Sequence, residues 1–114
     1  KLSEKGIGFL DAGVSGGPSG ALNGACIMVG GEIGLYKKYE SLFKDLSVQN
    51  GYGYMGESGA GHFVKMVHNG IEYGMMQAIG EGFEIMKKSS FSLNLHSIAE
   101  VYSHGSVITS RLVS

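Results

Sequence analysis

Four polar side chains recur along one segment of the sequence at the spacing of a helical face. They are Lys65, His68, Asn69 and Glu72, and on a helix that turns about 100° per residue they share one stripe. Lys65 and Glu72 would stand about 10 Å apart along the axis, beyond the spacing of ordinary ion pairs on a helix. This gap suits a small polyhydroxylated ligand held between an amine and a carboxylate, where one group removes a proton and the other supplies one.

The same stripe is also consistent with the solvated face of an amphipathic helix, and spacing alone favours that interpretation. Two features favour a ligand site. The opposite stripe is apolar enough to serve as the packing face, and the glycine-rich segment 56–61 would let a substrate approach the helix start. Helix amino termini also attract anions such as phosphate.

A second candidate is the turn Ser15-Gly16-Gly17, which follows the first apolar run of the chain. Ligand sites commonly form at such positions in open α/β sheets. The Ser15 hydroxyl and the backbone amides could hold a carboxylate. Plain turn chemistry also explains the glycines, and their spacing does not match a GxGxxG dinucleotide fingerprint.

The elements that must position these residues are predicted from periodicity and from the 20 glycines, most of which precede residue 62. The first half should contain strands and tight turns, and the second half should be helical. We predict strands at 7–10, 26–29 and 52–55, a helical turn at 21–24, and helices at 32–46, 61–88, 95–103 and 106–113. Apolar residues at spacings of three and four support the helix 61–88, and its internal glycines suggest close packing against another helix.

Composition narrows the class of protein. Hydrophobic residues make up 43% and charged residues 17%, as in soluble globular proteins. The net charge of −1 argues against nucleic-acid binding. No apolar run is long enough for a membrane span and no secretory signal pattern is present, so a cytoplasmic setting is expected. Cys26 is expected to be a buried reduced thiol, and no metal site is assigned.

Two strings resemble a known family. FLDAGVSGGPSGALNGACIMVGG looks like the substrate-loop signature of β-hydroxyacid dehydrogenases. GAGHFVKMVHNGIEYGMMQ is similar to the signature of the decarboxylating 6-phosphogluconate dehydrogenases in particular. The arrangement Lys-x-x-His-Asn-x-x-Glu-Tyr is the specific part, because hydroxyisobutyrate-type relatives generally carry Asn-Asn in place of His-Asn. The resemblance covers most of residues 6–88.

The resemblance implies oxidative decarboxylation of 6-phosphogluconate to ribulose 5-phosphate and CO2, a reaction of the pentose phosphate pathway, with reduction of NADP or NAD. Lys65 would match the general base that takes the C3 hydroxyl proton, for which it must be neutral in the bound complex. Glu72 would match the general acid that protonates C1 of the enediol after CO2 is lost.

Substrate contacts also follow from the resemblance. The Ser15, Gly16 and Gly17 turn would bind the carboxylate end of the substrate. His68 and Asn69 would contact its hydroxyls. Tyr73 would reach the phosphate end; the claims of His62 and Gln77 are weaker.

The fold class implied is α/β followed by all-α. Residues 1–55 would form the carboxy-terminal part of a Rossmann-like dinucleotide-binding domain, and 56–114 the start of a helical substrate and dimerisation domain. A homodimer is expected, because a largely apolar helix separated from its partners should expose a sizeable patch. Both ends look cut from a longer chain. The cofactor would therefore be held mainly by sequence outside this one, which alone should not turn over substrate.

One departure from the family pattern lies near the carboxy terminus. The family usually carries a phosphate-binding arginine where this sequence has Thr109, and Arg111 stands two residues later. Either Arg111 substitutes or phosphate binding is weakened. Two alternatives to the proposed activity stay open: another β-hydroxyacid dehydrogenase of the hydroxyisobutyrate type, and a non-catalytic helical oligomerisation module.

Overall fold

The computed structural model describes residues 2–113. Within them the order of elements is a short 3-10 turn at Ser3–Lys5, β1 Leu10–Ser15, α1 Gly17–Asn23, β2 Ala25–Gly31, α2 Ile33–Leu46, β3 Ser47–Gly56, α3 Ala60–Lys88 and α4 Leu95–Tyr102. An α/β part is followed by helices, which confirms the predicted fold class.

The chain divides into two compact units, Lys1–Asn69 and Gly70–Ser114. The first unit holds the three-stranded sheet, α1, α2 and the beginning of α3. The second unit holds the remainder of α3 and α4, where the rings of Phe83 and Tyr102 meet edge to face with their centroids 6.2 Å apart.

The sheet has the order β1-β2-β3, with β2 in the centre. β1 runs antiparallel to β2, from the pair Leu10 and Gly31 to the pair Ser15 and Cys26, and β3 runs parallel to β2. The first strand was predicted at 7–10, which is wrong in position. Residues 11–15, which include Gly13, form a strand because their backbone groups pair with β2. This pairing outweighs their weak local preference for a strand.

The core of the first unit lies between β2 and α2. Val29 is completely buried, and the Tyr36 ring packs against Phe43 and Tyr54 with centroid distances of 5.9 and 5.3 Å. Cys26 was expected to be buried, but it is exposed. Side chains alternate across a strand, so the neighbours that enter the core place Cys26 on the other face.

Three other predictions of extent need correction. The helical turn predicted at 21–24 is the end of a longer helix, α1, which begins at Gly17 and ends at Asn23. The strand predicted at 52–55 spans Ser47–Gly56, because the parallel partner β2 extends its pairing back to Ser47. The helix predicted at 106–113 is absent from the described residues, which form turns there. The hydroxyls of Ser106 and Ser110 each accept a hydrogen bond from the backbone N–H two residues on, at 3.2 Å. Such local bonds compete with helix formation.

Helix α3 agrees with its predicted extent to within one residue, but its apolar stripe is not a packed face in this chain. Phe63 and Ile71 are 60% and 61% exposed. The close helix packing suggested by the internal glycines is also not seen among the described residues. A Cβ placed on any of the α3 glycines after residue 61 would meet nothing within 4 Å outside the helix's own nearby backbone.

None of the helices within residues 2–113 combines the length and the apolar composition that a membrane span requires. No group of three or more His, Cys, Asp or Glu side chains in the same range could hold a metal ion.

Candidate active site

The amino-terminal turn of α3 is attached to strand β1 by one carboxylate. Asp11 is 3% exposed. Its Oδ1 accepts the Gly59 N–H at 2.6 Å, and its Oδ2 accepts the His62 N–H at 2.9 Å. The first N–H groups of a helix have no partner within the helix, so the carboxylate supplies an acceptor that the helix start otherwise lacks.

The charge state of Asp11 follows from this environment. Burial raises the pKa of the Asp11 carboxyl, while the hydrogen bonds from Gly59 and His62 and the charge of the His62 ring lower it. Together the hydrogen bonds and the His62 charge outweigh the effect of burial, and the pKa of Asp11 lies below the ordinary value of 3.8. Asp11 is therefore ionised at neutral pH, as two donated N–H groups require.

Glycines allow α3 to approach the sheet backbone closely. A Cβ on Gly61 would lie 2.4 Å from the Met28 carbonyl oxygen, and one on Gly30 would lie 2.6 Å from the Gly61 nitrogen. A Cβ on Gly13 would lie 2.3 Å from the Cβ of Lys65. Real Cβ atoms do not come this close, so only glycine fits at these three positions without a shift of the helix.

The predicted site residues of the first unit come together where α3 passes β1. Lys65 Nζ donates to Asn69 Oδ1 and lies 3.3 Å from His68 Nδ1. His68 Nε2 lies 3.3 Å from Ser15 Oγ. Lys65, His68 and Ser15 are half-buried and Asn69 is exposed. Four of the residues predicted from the sequence thus form one continuous row of polar contacts.

The tautomer of His68 decides the direction of these contacts, because His68 Nδ1 lies 3.3 Å from the donor Lys65 Nζ and 3.4 Å from the acceptor Asn69 Oδ1. With the ring hydrogen on Nε2, Nδ1 accepts from Lys65 and Nε2 donates to Ser15 Oγ. With the ring hydrogen on Nδ1, it is donated to Asn69 Oδ1, and Nε2 accepts the Ser15 hydroxyl hydrogen. Ser15 is coupled to His68 in both tautomers.

The turn after Ser15 depends on glycine conformations. Gly16 has φ 133° and Gly17 has φ 57°, both in the region that favours glycine. Pro18 follows in the first turn of α1. The turn is therefore fixed in shape directly beside the Ser15 hydroxyl.

The other predicted residues lie in the second unit. Glu72 is half-buried and Tyr73 is 70% exposed, and both belong to α3. Near the carboxy terminus, the Thr109 hydroxyl donates to the Tyr102 carbonyl oxygen at 2.9 Å. Arg111 is exposed.

Sequence reasoning missed two features. Asp11 was not identified as a site residue, although an acidic residue inside the apolar run around Leu10 and Ala12 was a usable signal. The segment 51–56 was also overlooked: Gly51, Gly53 and Gly56 match GxGxxG in spacing. They lie within β3, and a dinucleotide fingerprint requires a turn between a strand and a helix. The match therefore carries no nucleotide site.

Two family models match the chain. The first, described as the NAD binding domain of 6-phosphogluconate dehydrogenase, matches residues 1–56. The second, described as the C-terminal domain of 6-phosphogluconate dehydrogenase, matches residues 61–104. Together with the observed strands and helices, these matches confirm a Rossmann-like part followed by the start of a helical domain.

Related sequences and structures agree. The chain is 56% identical over 113 residues to "Putative 6-phosphogluconate dehydrogenase YqeC" of Bacillus subtilis (strain 168), covering 99% of this chain and 38% of that protein. It is 47% identical over 106 residues to the NAD(+)-dependent, decarboxylating 6-phosphogluconate dehydrogenase of Haloferax volcanii, covering 92% of this chain and 36% of that one.

Among solved structures, the 6-phosphogluconate dehydrogenase of Plasmodium falciparum superposes with a TM-score of 0.79 at 39% identity, covering 90% of this chain and 22% of that one. The chain thus spans between about a fifth and two fifths of the length of these relatives. Both halves of the sequence match the same family in the same order. The chain belongs to the 6-phosphogluconate dehydrogenase family.

Proposed function

We propose that the protein carrying this chain oxidises and decarboxylates 6-phosphogluconate to ribulose 5-phosphate and CO2, with reduction of a nicotinamide cofactor. The observation that carries the proposal is the row of contacts from Lys65 through His68 to Ser15. It places an amine, an imidazole and a hydroxyl where the two resembling strings meet in space. A solvated helix face would not bring Lys65 and His68 against a strand.

Lys65 is the proposed general base. In its neutral form the amine accepts the proton of the C3 hydroxyl while hydride leaves C3 for the cofactor. The 3-keto acid then loses CO2, and Glu72 donates a proton to C1 of the resulting enediol. Both residues lie on the continuous helix α3.

The remaining site residues are proposed to hold the substrate. Ser15, whose hydroxyl is in contact with His68, binds the carboxylate together with the amides of Gly16 and Gly17. His68 and Asn69 contact the substrate hydroxyls. Tyr73, with its exposed phenol, reaches the phosphate.

The cofactor proposed is NADP, with NAD as the alternative. When bound, it accepts the hydride from C3. The amine of Lys65 beside the His68 ring fits such a reaction, because removal of the proton of the substrate's C3 hydroxyl complements the loss of hydride from C3. The family match over residues 1–56 supports a nicotinamide cofactor.

Two proposals concern organisation. Residues 1–55 are assigned to the nucleotide-binding domain, and 56–114 to the helical substrate and dimerisation domain. The exposed apolar residues of α3 support a homodimer in which a second copy covers this helix. Sedimentation of the intact protein as a stable monomer at micromolar concentration would contradict the dimer.

A cytoplasmic setting in the pentose phosphate pathway is proposed because a phosphorylated sugar does not cross membranes unaided.

The deciding experiment is a substrate comparison on the intact protein. Reduced cofactor, CO2 and ribulose 5-phosphate should appear in equal amounts with 6-phosphogluconate, and 3-hydroxyisobutyrate should give no comparable rate. NADP and NAD are compared in the same assay. Faster oxidation of 3-hydroxyisobutyrate than of the sugar acid would replace the proposed activity with the alternative one.

A matched pair of variants tests the catalytic assignment. Lys65→Ala should abolish turnover, whereas Lys37→Ala, at an exposed position of α2, should leave it unchanged. If Lys65→Ala and Glu72→Ala both kept normal turnover while assembly was disturbed, the chain would be an oligomerisation module and the catalytic roles would be lost.

A further inference from the structure

We propose that Asp11 is a positioning residue for Lys65: its buried carboxylate fixes the register of α3 along β1, and so sets the Lys65 side chain against Gly13 and its contact partner His68 against Ser15. The catalytic part of this inference rests on the proposed function. The Asp11 carboxylate acts through backbone contacts, because its two oxygens accept the N–H groups of Gly59 and His62.

Side chains alternate between the two faces of strand β1. Residues at i, i+2 and i+4 of a strand lie on one face, so Asp11, Gly13 and Ser15 share a face. Each of these three faces a different turn of α3. Asp11 accepts the N–H of His62, Gly13 leaves the space that the Lys65 side chain occupies, and Ser15 meets His68.

The partners on α3 follow the helical period. Residues 62, 65 and 68 are three apart, which is the spacing of one helical face. Strand and helix therefore run side by side in a fixed register of three contacts. A slip of α3 by one residue would turn this face by about 100° and would carry the Lys65 side chain away from Gly13 and the His68 ring away from Ser15.

Asp11 is the one member of this register that ties α3 to β1 by two charge-assisted hydrogen bonds. The Gly13 contact only leaves space, and the contact between Ser15 and His68 is longer, at 3.3 Å. Bonds between an ionised acceptor and a backbone N–H are about twice as strong as neutral ones. The anchor of the register is therefore Asp11.

Both carboxylate oxygens are needed, because each accepts a separate N–H. An asparagine has the same shape but only one accepting oxygen, so its NH2 group would face one of the two donors. Asp11→Asn is therefore a nearly isosteric change that breaks one of the two bonds and disturbs the placement of α3.

The test is kinetic and uses the intact protein. Asp11→Asn should lower kcat about 10-fold to 100-fold, the effect of misplacing a catalytic group by about 1 Å, and should change KM for 6-phosphogluconate less than kcat. The kinetic isotope effect with 6-phosphogluconate deuterated at C3 should rise, because the C3 oxidation becomes slower relative to the other steps. The matched control Asp45→Asn, at an exposed acid on α2, should leave all three quantities unchanged.

A merely structural role would lower the fraction of folded enzyme without changing kcat per folded molecule or the isotope effect. That result in a folded Asp11→Asn variant overturns the proposal. If the variant does not fold, Gly13→Ala tests the same register with the Asp11 carboxylate in place. The added methyl group displaces the Lys65 side chain, and a folded Gly13→Ala variant with unchanged kcat and isotope effect also overturns the proposal.

Hydrogen exchange in the unmodified protein gives a readout that does not depend on activity. The Gly59 and His62 amides should exchange as slowly as amides inside α3, although neither has an intrahelical acceptor. Exchange at the rate of an exposed loop would overturn the anchor. If the unmodified protein did not oxidise 6-phosphogluconate at all, the proposed function would fail, while slow exchange would still support the Asp11 anchor.

Discussion

At the scale of the residue, Lys65 and Glu72 act at different steps of the proposed reaction, so their replacement should stop the enzyme at different points. Oxidation at C3 needs only the base, whereas release of the final product needs the acid. Glu72→Gln should therefore give one rapid equivalent of reduced cofactor per site followed by slow turnover, lowered on the order of 100-fold to 10,000-fold. Lys65→Ala should give no rapid phase. Stopped-flow absorbance of the reduced cofactor measures both.

The control for this experiment is Glu84→Gln, because Glu84 lies on the same helix and forms an exposed ion pair with Lys88. It should behave as the unmodified enzyme does, since exposed pairs of this kind contribute little. A rapid phase in Lys65→Ala, or its absence in Glu72→Gln, would contradict the order of the two roles.

The ionisation of Asp11 predicts how stability depends on pH. Its pKa in the folded protein lies below the ordinary value of 3.8, so its contribution to stability is complete above the unfolded-state pKa. That contribution is lost as the pH falls through the folded-state pKa. The difference in unfolding free energy between the unmodified protein and Asp11→Asn, measured in urea, should be constant above about pH 5 and should shrink below pH 3.8. A difference that stays constant down to pH 2 would show that folding does not lower the pKa of Asp11.

The sequence predicts which polar residues share one face of a helix, and it does not predict contacts whose partner the fold supplies. The helical period places Lys65, His68 and Asn69 on one face, and the family resemblance is what assigns them to a site. The contact between His68 and Ser15 joins residues 53 positions apart in the sequence, and a local sequence pattern cannot predict such a contact. Asp11 was missed for the same reason, since its two donors lie 48 and 51 residues away.

At the scale of the element, α3 contains glycines with opposite roles, and alanine should separate them. Gly61 faces the backbone of β2 at the start of the helix, so Gly61→Ala should destabilise the protein by about 1–3 kcal/mol through overpacking. A Cβ on Gly80 would meet nothing within 4 Å outside the helix's own nearby backbone, so Gly80→Ala should stabilise it by about 0.5–1 kcal/mol. Urea denaturation at one protein concentration measures both changes. Effects of the same sign would contradict the close approach of Gly61 to the sheet.

The elements themselves were predicted unevenly from the sequence. Helices α2 and α3 were predicted to within one residue at each end, because long amphipathic periods are local properties. Strands β1 and β3 were misplaced or too short, since their extent depends on the backbone partner offered by β2. The carboxy-terminal helix was wrong because serine hydroxyls capture backbone N–H groups there, a competition that hydrophobic spacing does not reveal.

At the scale of the whole molecule, several large apolar side chains of α3 are exposed, and packing within the chain does not explain their exposure. Phe63, Met66 and Ile71 are each about 60% exposed or more. A helix with large apolar residues exposed along its length normally has a partner. The proposed partner is a second copy of this protein, whose α3 helix the glycines at 70 and 74 would allow to approach closely.

A charge placed on α3 tests this partner. Ile71→Glu should weaken the dimer on the order of 100-fold or more, because an unpaired charge buried in an apolar interface costs about 3–5 kcal/mol. Leu22→Glu is the matched control, since Leu22 is a large apolar residue on α1 that is 83% exposed. Sedimentation velocity across a range of protein concentrations should show dissociation of the Ile71→Glu variant only. If both variants stay dimeric, α3 is not the interface, and if both dissociate equally, general surface charge rather than contact along α3 controls assembly.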